Sequence, residues 1–187
     1  FLEPADIKGT ALLTWQHQNQ DDDQWLYLPA QKKMQRITRS SKKNYFMGTD
    51  FTYEDMQSEV LDAHQYTVVR SEKQQEKDCW VIEALPANPE KAKETSYTKR
   101  VLWIAKDNYA ALKTEFYGKK NALIKVQENR EWENISRTLW RAKKGLMDNG
   151  SLQHKTLVGV ANRKIDKPIH DKTFTEQHIT SVAHIAF

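Results

Sequence analysis

Apolar and polar residues alternate in short runs along most of the chain. This period of two is typical of β-strands that bury one face, because successive side chains point to opposite sides of a strand. The first run places Ala11, Leu13 and Trp15 on one face, and a second run, Trp25 to Leu28, follows the polar residues 18–24. We therefore predict that these two strands form a hairpin.

Eight further runs predict the rest of an antiparallel sheet. They are Met34 to Arg39, Tyr66 to Glu72, Cys79 to Leu85, Tyr97 to Ala105, Ala110 to Tyr117, Ala122 to Gln127, Glu133 to Ala142 and Lys155 to Lys164. Residues 86–94 are predicted as a polar connection, and turns are predicted at residues 118–121 and 148–150. A sheet of about ten strands tends to curl, so a strongly curved or partly closed sheet is expected.

One short helix is predicted after Thr52-Tyr53-Glu54-Asp55, which resembles a capping box. Tyr53, Met56, Val60 and Leu61 would then share one helical stripe that faces the sheet.

A second capping-box candidate, Thr173-Phe174-Thr175-Glu176, predicts a short final helix. Phe174, Ile179 and Val182 are the apolar side chains that would dock it.

Composition places the chain among compact proteins. It has 187 residues, with 6 Phe, 6 Trp and 7 Tyr, and this aromatic content argues against disorder. No apolar run approaches the roughly 18 residues that a membrane-spanning helix needs, so the chain is not expected to span a membrane. The net charge of +4 is too small to indicate a nucleic-acid partner. We predict one domain over residues 1–187, with its N-terminal part trimmed.

The sequence lacks the common motifs of catalysis. Its 6 Gly residues form neither a phosphate loop nor a dinucleotide fingerprint, and its single Cys79 cannot build a disulfide or a thiolate zinc site. The histidines are scattered. We therefore predict no catalytic residue, no metal ligand and no cofactor, and we predict that the protein is not an enzyme.

Six cations fall within twelve residues and predict a local positive patch. They are Lys32, Lys33, Arg36, Arg39, Lys42 and Lys43. This patch is a candidate docking surface for anionic headgroups or a membrane partner. The alternative is an ordinary solvated edge hairpin, on which lysines discourage pairing with another strand.

Several stretches resemble a known family. They are Phe1 to Thr10, Trp25 to Ala30, Arg36-Ile37, Phe46 to Met56, Ser96 to Val101, Trp103-Ile104, Lys113 to Tyr117 and Lys155-Thr156. In these stretches the chain is similar to outer-membrane lipoprotein-sorting proteins of the LolA-like type, and the block Phe46 to Met56 is the most specific. The resemblance implies an α+β fold, mainly antiparallel, in which a curved half-barrel sheet carries short helices over its concave face. It also implies the periplasm of Gram-negative bacteria and an apolar hollow that holds lipoprotein acyl chains.

We therefore expect a periplasmic carrier that shields lipid or lipoprotein acyl chains. Large side chains on strands either fill a core or line an apolar cavity, and the sequence leaves both outcomes open. The candidate lining residues are Leu13, Trp15, Trp25, Tyr27, Trp103, Leu112, Phe116 and Trp140, with Phe46, Met47 and Phe51 as lid contacts. Candidate partners are an inner-membrane transporter of the RND type and an outer-membrane acceptor. The alternative function is a non-catalytic interaction module of such a transporter assembly, with the hollow filled by its own side chains.

Overall fold

The strands pair into two antiparallel sheets, one of three strands and one of seven. The computed structural model describes residues 5, 7–17 and 22–181. The chain divides into two compact units, the first formed by Phe1–Ser41 with Asp166–Phe187 and the second by Lys42–Ile165. The predicted turn at residues 18–24 lies partly outside the described residues, and so does Val182.

The first unit contains the three-stranded sheet. Its elements are β1 (Ala11–Trp15), β2 (Asp23–Leu28), β3 (Lys33–Arg36), a 3₁₀ turn (Asp171–Phe174) and α2 (Glu176–Thr180). β1 and β2 pair as the predicted hairpin, and β3 pairs with β2. Leu13, Tyr27 and Ile179 are buried together, which docks α2 on this sheet.

The second unit contains the seven-stranded sheet. Its strands are β4 (His64–Gln74), β5 (Lys77–Pro86), β6 (Lys99–Ala105), β7 (Ala111–Tyr117), β8 (Leu123–Ser136), β9 (Leu139–Asn149) and β10 (His154–Gly159). Each strand pairs with its neighbours in the chain, so the order is that of a simple meander, and β4 and β10 are the two edges of an open sheet. The short helix α1 (Pro89–Glu94) connects β5 to β6, and 3₁₀ turns lie at Ser40–Lys43, Leu61–Ala63 and Lys119–Asn121.

The seven-stranded sheet is strongly curved. At the tip of the β4–β5 hairpin, the Gln75 side-chain amide donates to the carbonyl oxygens of Leu112 (3.4 Å) and Asn129 (3.1 Å), on β7 and β8. The hairpin therefore folds over one face of the sheet. The prediction of a mainly antiparallel, curved sheet with few short helices is confirmed.

Register assigns side chains to the two faces, because directly opposed residues in an antiparallel pair point the same way. On the Trp103 face, Cys79, Val81 and Leu112 pack with Trp103 and are fully buried. On the Phe116 face, Phe116 lies opposite Lys125 on β8. The two faces thus carry different cores.

Some predicted elements differ from the structure. The sequence predicts two separate strands at 122–127 and 133–142, but one continuous strand, β8, covers Leu123–Ser136. The next strand, β9 (Leu139–Asn149), extends into the turn predicted at residues 148–150. The predicted polar connection contains α1, which begins after Asn88 because the Asn88 side chain accepts from the Lys91 amide. Likewise, α2 begins after Thr175 rather than Thr173, because the Thr175 hydroxyl accepts from the His178 amide.

The predicted helix after Thr52 is wrong. Thr52 and Asp55 do exchange the two hydrogen bonds of a capping box, but the chain turns instead of continuing as a helix. Met56, Val60 and Leu61 are exposed, so no apolar stripe is buried to stabilise one. In the described part of the chain, no helix is long and apolar enough to cross a membrane.

Candidate functional site

Residues 45–59 form an irregular segment that packs on the Phe116 face, and we call it the clasp segment. Phe46 and Phe51 are joined by a backbone hydrogen bond of 2.7 Å. The turn between them contains Gly48 at a φ of +74°, a left-handed conformation that glycine adopts without strain. The rings of Phe46 and Tyr53 meet edge to face at 5.5 Å, and both are buried. The segment therefore has a defined shape of its own.

A buried ion pair fastens the clasp segment to the sheet. The Lys125 ammonium on β8 lies 2.5 Å from a carboxylate oxygen of Asp55, and these side chains are only 1% and 3% exposed. The same ammonium donates to the Asp50 carbonyl oxygen at 3.0 Å. A lysine in such a dry site needs these partners, because an unpaired buried charge is very unfavourable.

Three aromatic rings complete the surroundings of the Lys125 ammonium. The ring centroids of Tyr45, Tyr97 and Phe116 lie 5.5, 5.4 and 5.3 Å from it. Ring faces attract a cation, most strongly where water is excluded. The Tyr97 hydroxyl donates to Asp55 at 2.8 Å. Burial, together with the Asp55 charge, raises the pKa of Tyr97, so its hydroxyl stays protonated and continues to donate.

A second carboxylate, Asp50, fastens the first half of the segment to the edge strand β10. Its side chain is buried and accepts hydrogen bonds from the Thr156 hydroxyl and from His154 Nδ1, each at 2.7 Å. The Asp50 amide in turn donates to the Thr156 hydroxyl at 2.9 Å. Residues far apart in sequence thus converge on this short segment.

Glu54 provides a third attachment, to the loop before β6. Its carboxylate accepts from the Thr95 hydroxyl and, at 3.0 Å, from the Ser96 amide. Burial raises the pKa of Glu54 above its ordinary value despite these hydrogen bonds. Polar and ionic contacts therefore attach the clasp segment at three places.

Apolar side chains lie beneath the clasp segment. Tyr97, Phe116 and Met147 form a buried cluster, and Phe51 and Ile124 pack against it. Lifting the segment would expose this cluster.

A further apolar area on the same face continues beyond the clasp segment. Val68, Ile82 and Leu102 are directly opposed across β4, β5 and β6, and Trp80 lies opposite Ile104 in the next row. We call these five residues the open apolar face. Val68 is 59% exposed, and the other four side chains are partly exposed. Exposed apolar side chains grouped in this way are typical of binding surfaces.

The predicted lining residues of the second unit do not share one face. Phe51 packs with Phe116, whereas Trp103 and Leu112 are buried on the opposite face. One cavity cannot be lined by all four, because the sheet separates them. Phe46 and Met47 lie in the clasp segment, and Trp140 lies on β9 with the Lys77 ammonium 5.9 Å from its ring.

The four candidates of the first unit do share a face. Leu13 and Tyr27 are buried with Ile179, and Trp25 packs against them. The Trp15 ring meets the Trp25 ring edge to face at 5.0 Å and is 46% exposed. Their role in ligand binding stays a prediction.

The predicted basic patch is divided between the units. Lys32, Lys33, Arg36 and Arg39 belong to the first, and Lys42 and Lys43 to the second. Lys32 and Lys33 are exposed, whereas Arg36 pairs with Asp23 and Lys43 donates to the Lys93 carbonyl oxygen at 2.7 Å. Docking through this patch also stays a prediction.

Sequence reasoning missed the residues that fasten the clasp segment, namely Asp50, Glu54, Asp55, Tyr97 and Lys125. The block Phe46 to Met56 contains three of them and was the most specific stretch, but Lys125 is one lysine among many until the fold brings it to Asp55. Among the described residues, no group of three or more His, Cys, Asp or Glu side chains is arranged to hold a metal ion.

A family model described as "Uncharacterized protein" matches residues 1–181. No curated protein sequence matches the chain significantly.

Three solved structures share the fold. A domain assigned as an outer membrane lipoprotein-sorting protein from Vibrio parahaemolyticus is 33% identical, with a TM-score of 0.89 over 96% of this chain and 75% of that one. A DUF1329 family protein from Desulfovibrio piger is 32% identical, with a TM-score of 0.86 over 96% of this chain and 74% of that one. A LolA superfamily protein from Nitrosomonas europaea is 20% identical, with a TM-score of 0.69 over 95% of this chain and 74% of that one, which shows the fold alone. The chain therefore belongs to the same family as the outer-membrane lipoprotein-sorting domain from Vibrio parahaemolyticus.

Proposed function

We propose that the chain is a periplasmic carrier or binding protein that shields lipid or lipoprotein acyl chains for sorting to the outer membrane. Its relative from Vibrio parahaemolyticus is assigned to outer membrane lipoprotein sorting. The observation that carries the proposal is the open apolar face, which lies beside the clasp segment on the same side of the sheet.

The physical basis is the burial of hydrocarbon. Each methylene moved from water to an apolar surface contributes about 0.8 kcal/mol, so a chain of several methylenes is held without any specific polar contact. Val68, Ile82 and Leu102 provide such a surface across three neighbouring strands. Carriage of this kind requires no nucleophile, metal ion or cofactor.

The clasp segment is the proposed lid. Thr114 lies opposite Leu102 and two positions from Phe116 on β7, so the open apolar face continues toward the cluster under the segment. Movement of Phe46, Met47 and Phe51 away from the sheet would lengthen the apolar surface. The ion pair between Lys125 and Asp55 would have to break for the lid to open and the acyl chain to be released.

The test is organic extraction of the protein from its native envelope, followed by mass spectrometry. We expect co-purified lipid or lipopeptide with the wild-type chain and at least a several-fold loss with Val68→Asp. This substitution charges the open apolar face at an exposed position, so folding should be preserved.

Leu157→Asp is the matched control. Leu157 is 66% exposed on the other edge strand and lies opposite Leu146, away from the open apolar face. Equal lipid content in both variants and the wild type would contradict the proposed site, and absence of any lipid from all three would contradict the carrier function.

A second candidate function is a non-catalytic interaction module in an RND-type envelope transporter assembly. The packing of the Trp103 face favours it, because Cys79, Val81 and Leu112 fill that side of the curved sheet with their own side chains. Co-purification of a transporter subunit with a lipid-free chain would support this alternative.

A further inference from the structure

Arg100 on β6 holds a carboxylate in a site made mostly by the sheet. Its two terminal nitrogens donate to the two oxygens of Glu59 at 2.9 and 2.7 Å. This paired geometry is the one in which arginine recognises carboxylates and phosphates. The Arg100 side chain is 15% exposed, whereas Glu59 is 38% exposed. The cation is therefore the fixed partner and the carboxylate the accessible one.

Two more groups converge on the same carboxylate. The Tyr66 hydroxyl on β4 donates to Glu59 Oε1, and His64 Nδ1 lies 3.5 Å from that oxygen. His64 Nε2 lies 3.2 Å from an Arg100 nitrogen and accepts from it, since guanidinium can only donate. Burial and the Arg100 charge lower the pKa of His64, which favours the neutral ring, and a neutral ring that accepts at Nε2 carries its proton on Nδ1.

The register of the sheet places a small side chain between Tyr66 and Arg100. Tyr66 and Arg100 are both opposed to Ala84, on the strand between them. A methyl group between two long side chains leaves a recess, and the Glu59 carboxylate bridges Tyr66 and Arg100 over it. A larger side chain at position 84 would fill this space.

Glu59 lies at the end of the clasp segment, where the neighbouring side chains are exposed. Ser58, Val60 and Leu61 beside it are exposed, with Val60 at 51% and Leu61 at 69%. No apolar burial at these neighbours fixes the carboxylate in place. A tethered group of this kind competes with a free ligand through its effective concentration.

We propose that Arg100, Tyr66 and His64 form a binding site for a phosphate group, which Glu59 occupies until such a ligand displaces it. Phosphate presents the same two-oxygen edge to arginine as a carboxylate does, and it can accept the Tyr66 hydroxyl on a further oxygen. Because this site binds an anion, phosphate binding here does not depend on whether the chain carries acyl chains.

The test measures phosphate binding to the Glu59→Gln variant by following backbone amide chemical shifts in NMR titrations. Removing the competing carboxylate should lower the apparent Kd, by roughly tenfold for a site that the carboxylate fills about nine-tenths of the time. Glu90→Gln is the control, because it removes the same charge from an exposed residue paired with Lys93 on α1. Equal tightening in both variants would overturn the proposal, since net charge alone would then explain it.

Addition of Arg100→Gln to Glu59→Gln should abolish binding, and this double variant leaves neither charge buried alone. Tyr66→Phe is the second variant. It removes one hydrogen-bond donor and should weaken phosphate binding several-fold, and it tests the site even if the double variant fails to fold. Binding that neither change affects would overturn the proposal.

Three probes distinguish the source of the phosphate. They are sodium phosphate, monomeric dihexanoylphosphatidylglycerol and uncharged dihexanoylglycerol. Arg100-dependent binding of inorganic phosphate supports a site for the free ion, and Arg100-dependent binding of the phospholipid alone supports a headgroup site. Equal binding of the uncharged lipid, or no binding of any probe, would overturn the proposal.

A chain that purifies without lipid but binds phosphate would contradict the carrier function and leave the phosphate site supported.

Discussion

Lys125 and Asp55 form an ion pair that is almost completely removed from water, with 2.5 Å between ammonium and carboxylate. The pair joins β8 to a segment 70 residues earlier. It is therefore one of the contacts that hold the clasp segment on the sheet.

Lys125→Met should destabilise the protein by about 3–5 kcal/mol, because it leaves the Asp55 charge buried without its partner. Adding Asp55→Asn should recover part of this loss, since no charge then remains in the site. Urea unfolding followed by tryptophan fluorescence measures both changes. A loss below about 1 kcal/mol for Lys125→Met would contradict the burial of the pair.

Glu54 should make stability depend on pH. Its pKa is raised in the folded state by burial, so the folded chain binds more protons than the unfolded chain just above the ordinary carboxyl pKa. Stability should therefore fall as pH rises from about 4.5 through the folded-state pKa. Glu54→Gln should flatten this part of the curve of unfolding free energy against pH. An identical curve for variant and wild type would contradict the assigned shift.

Leu112 and Leu157 provide a matched pair of leucines on strands. Leu112 is 0% exposed on the Trp103 face, so Leu112→Ala should cost about 2–5 kcal/mol through lost burial and the cavity left behind. Leu157 is 66% exposed, so Leu157→Ala should change stability by about 0.5 kcal/mol or less. Denaturant midpoints compare the two variants. Similar losses would mean that Leu112 is not packed in a tight core.

The exposed lysines of the basic patch can be tested without disturbing its ion pair. Lys32→Glu with Lys33→Glu leaves Arg36 paired with Asp23 and should weaken sedimentation with anionic vesicles several-fold at low salt. Lys119→Glu with Lys120→Glu is the control, because these cations lie in the turn between β7 and β8. If both double variants lose binding equally, the attraction depends on net charge rather than on this patch.

Much of the sheet could be predicted from local pattern. The run Ala110 to Tyr117 nearly coincides with β7 because its alternation is regular and its ends carry turn residues. The pattern could not show that two sheets form, since pairing depends on contacts distant in sequence. It also could not assign faces, and a bulge between Trp103 and Ile104 shifts the register near Leu112.

The candidate site was predictable only in part. The block Phe46 to Met56 indicated a special segment, but its hydroxyl–acid pair suggested a helix where the structure has a turn. Asp55 accepts from the Thr52 amide and also pairs with Lys125. The contact with Lys125 cannot be read from the local sequence, because Lys125 is 70 residues away. Charged residues that stabilise through distant partners carry no periodicity.

Cys79 is the single cysteine of the chain, and it is fully buried on the Trp103 face. Burial also raises the pKa of its thiol, which keeps the reactive thiolate scarce. An accessible lone thiol in an oxidising compartment would couple two copies covalently or react with thiol oxidases. Burying the thiol against Val81 and Trp103 on this face keeps it out of contact with other thiols, so the chain offers no surface sulfur for cross-linking.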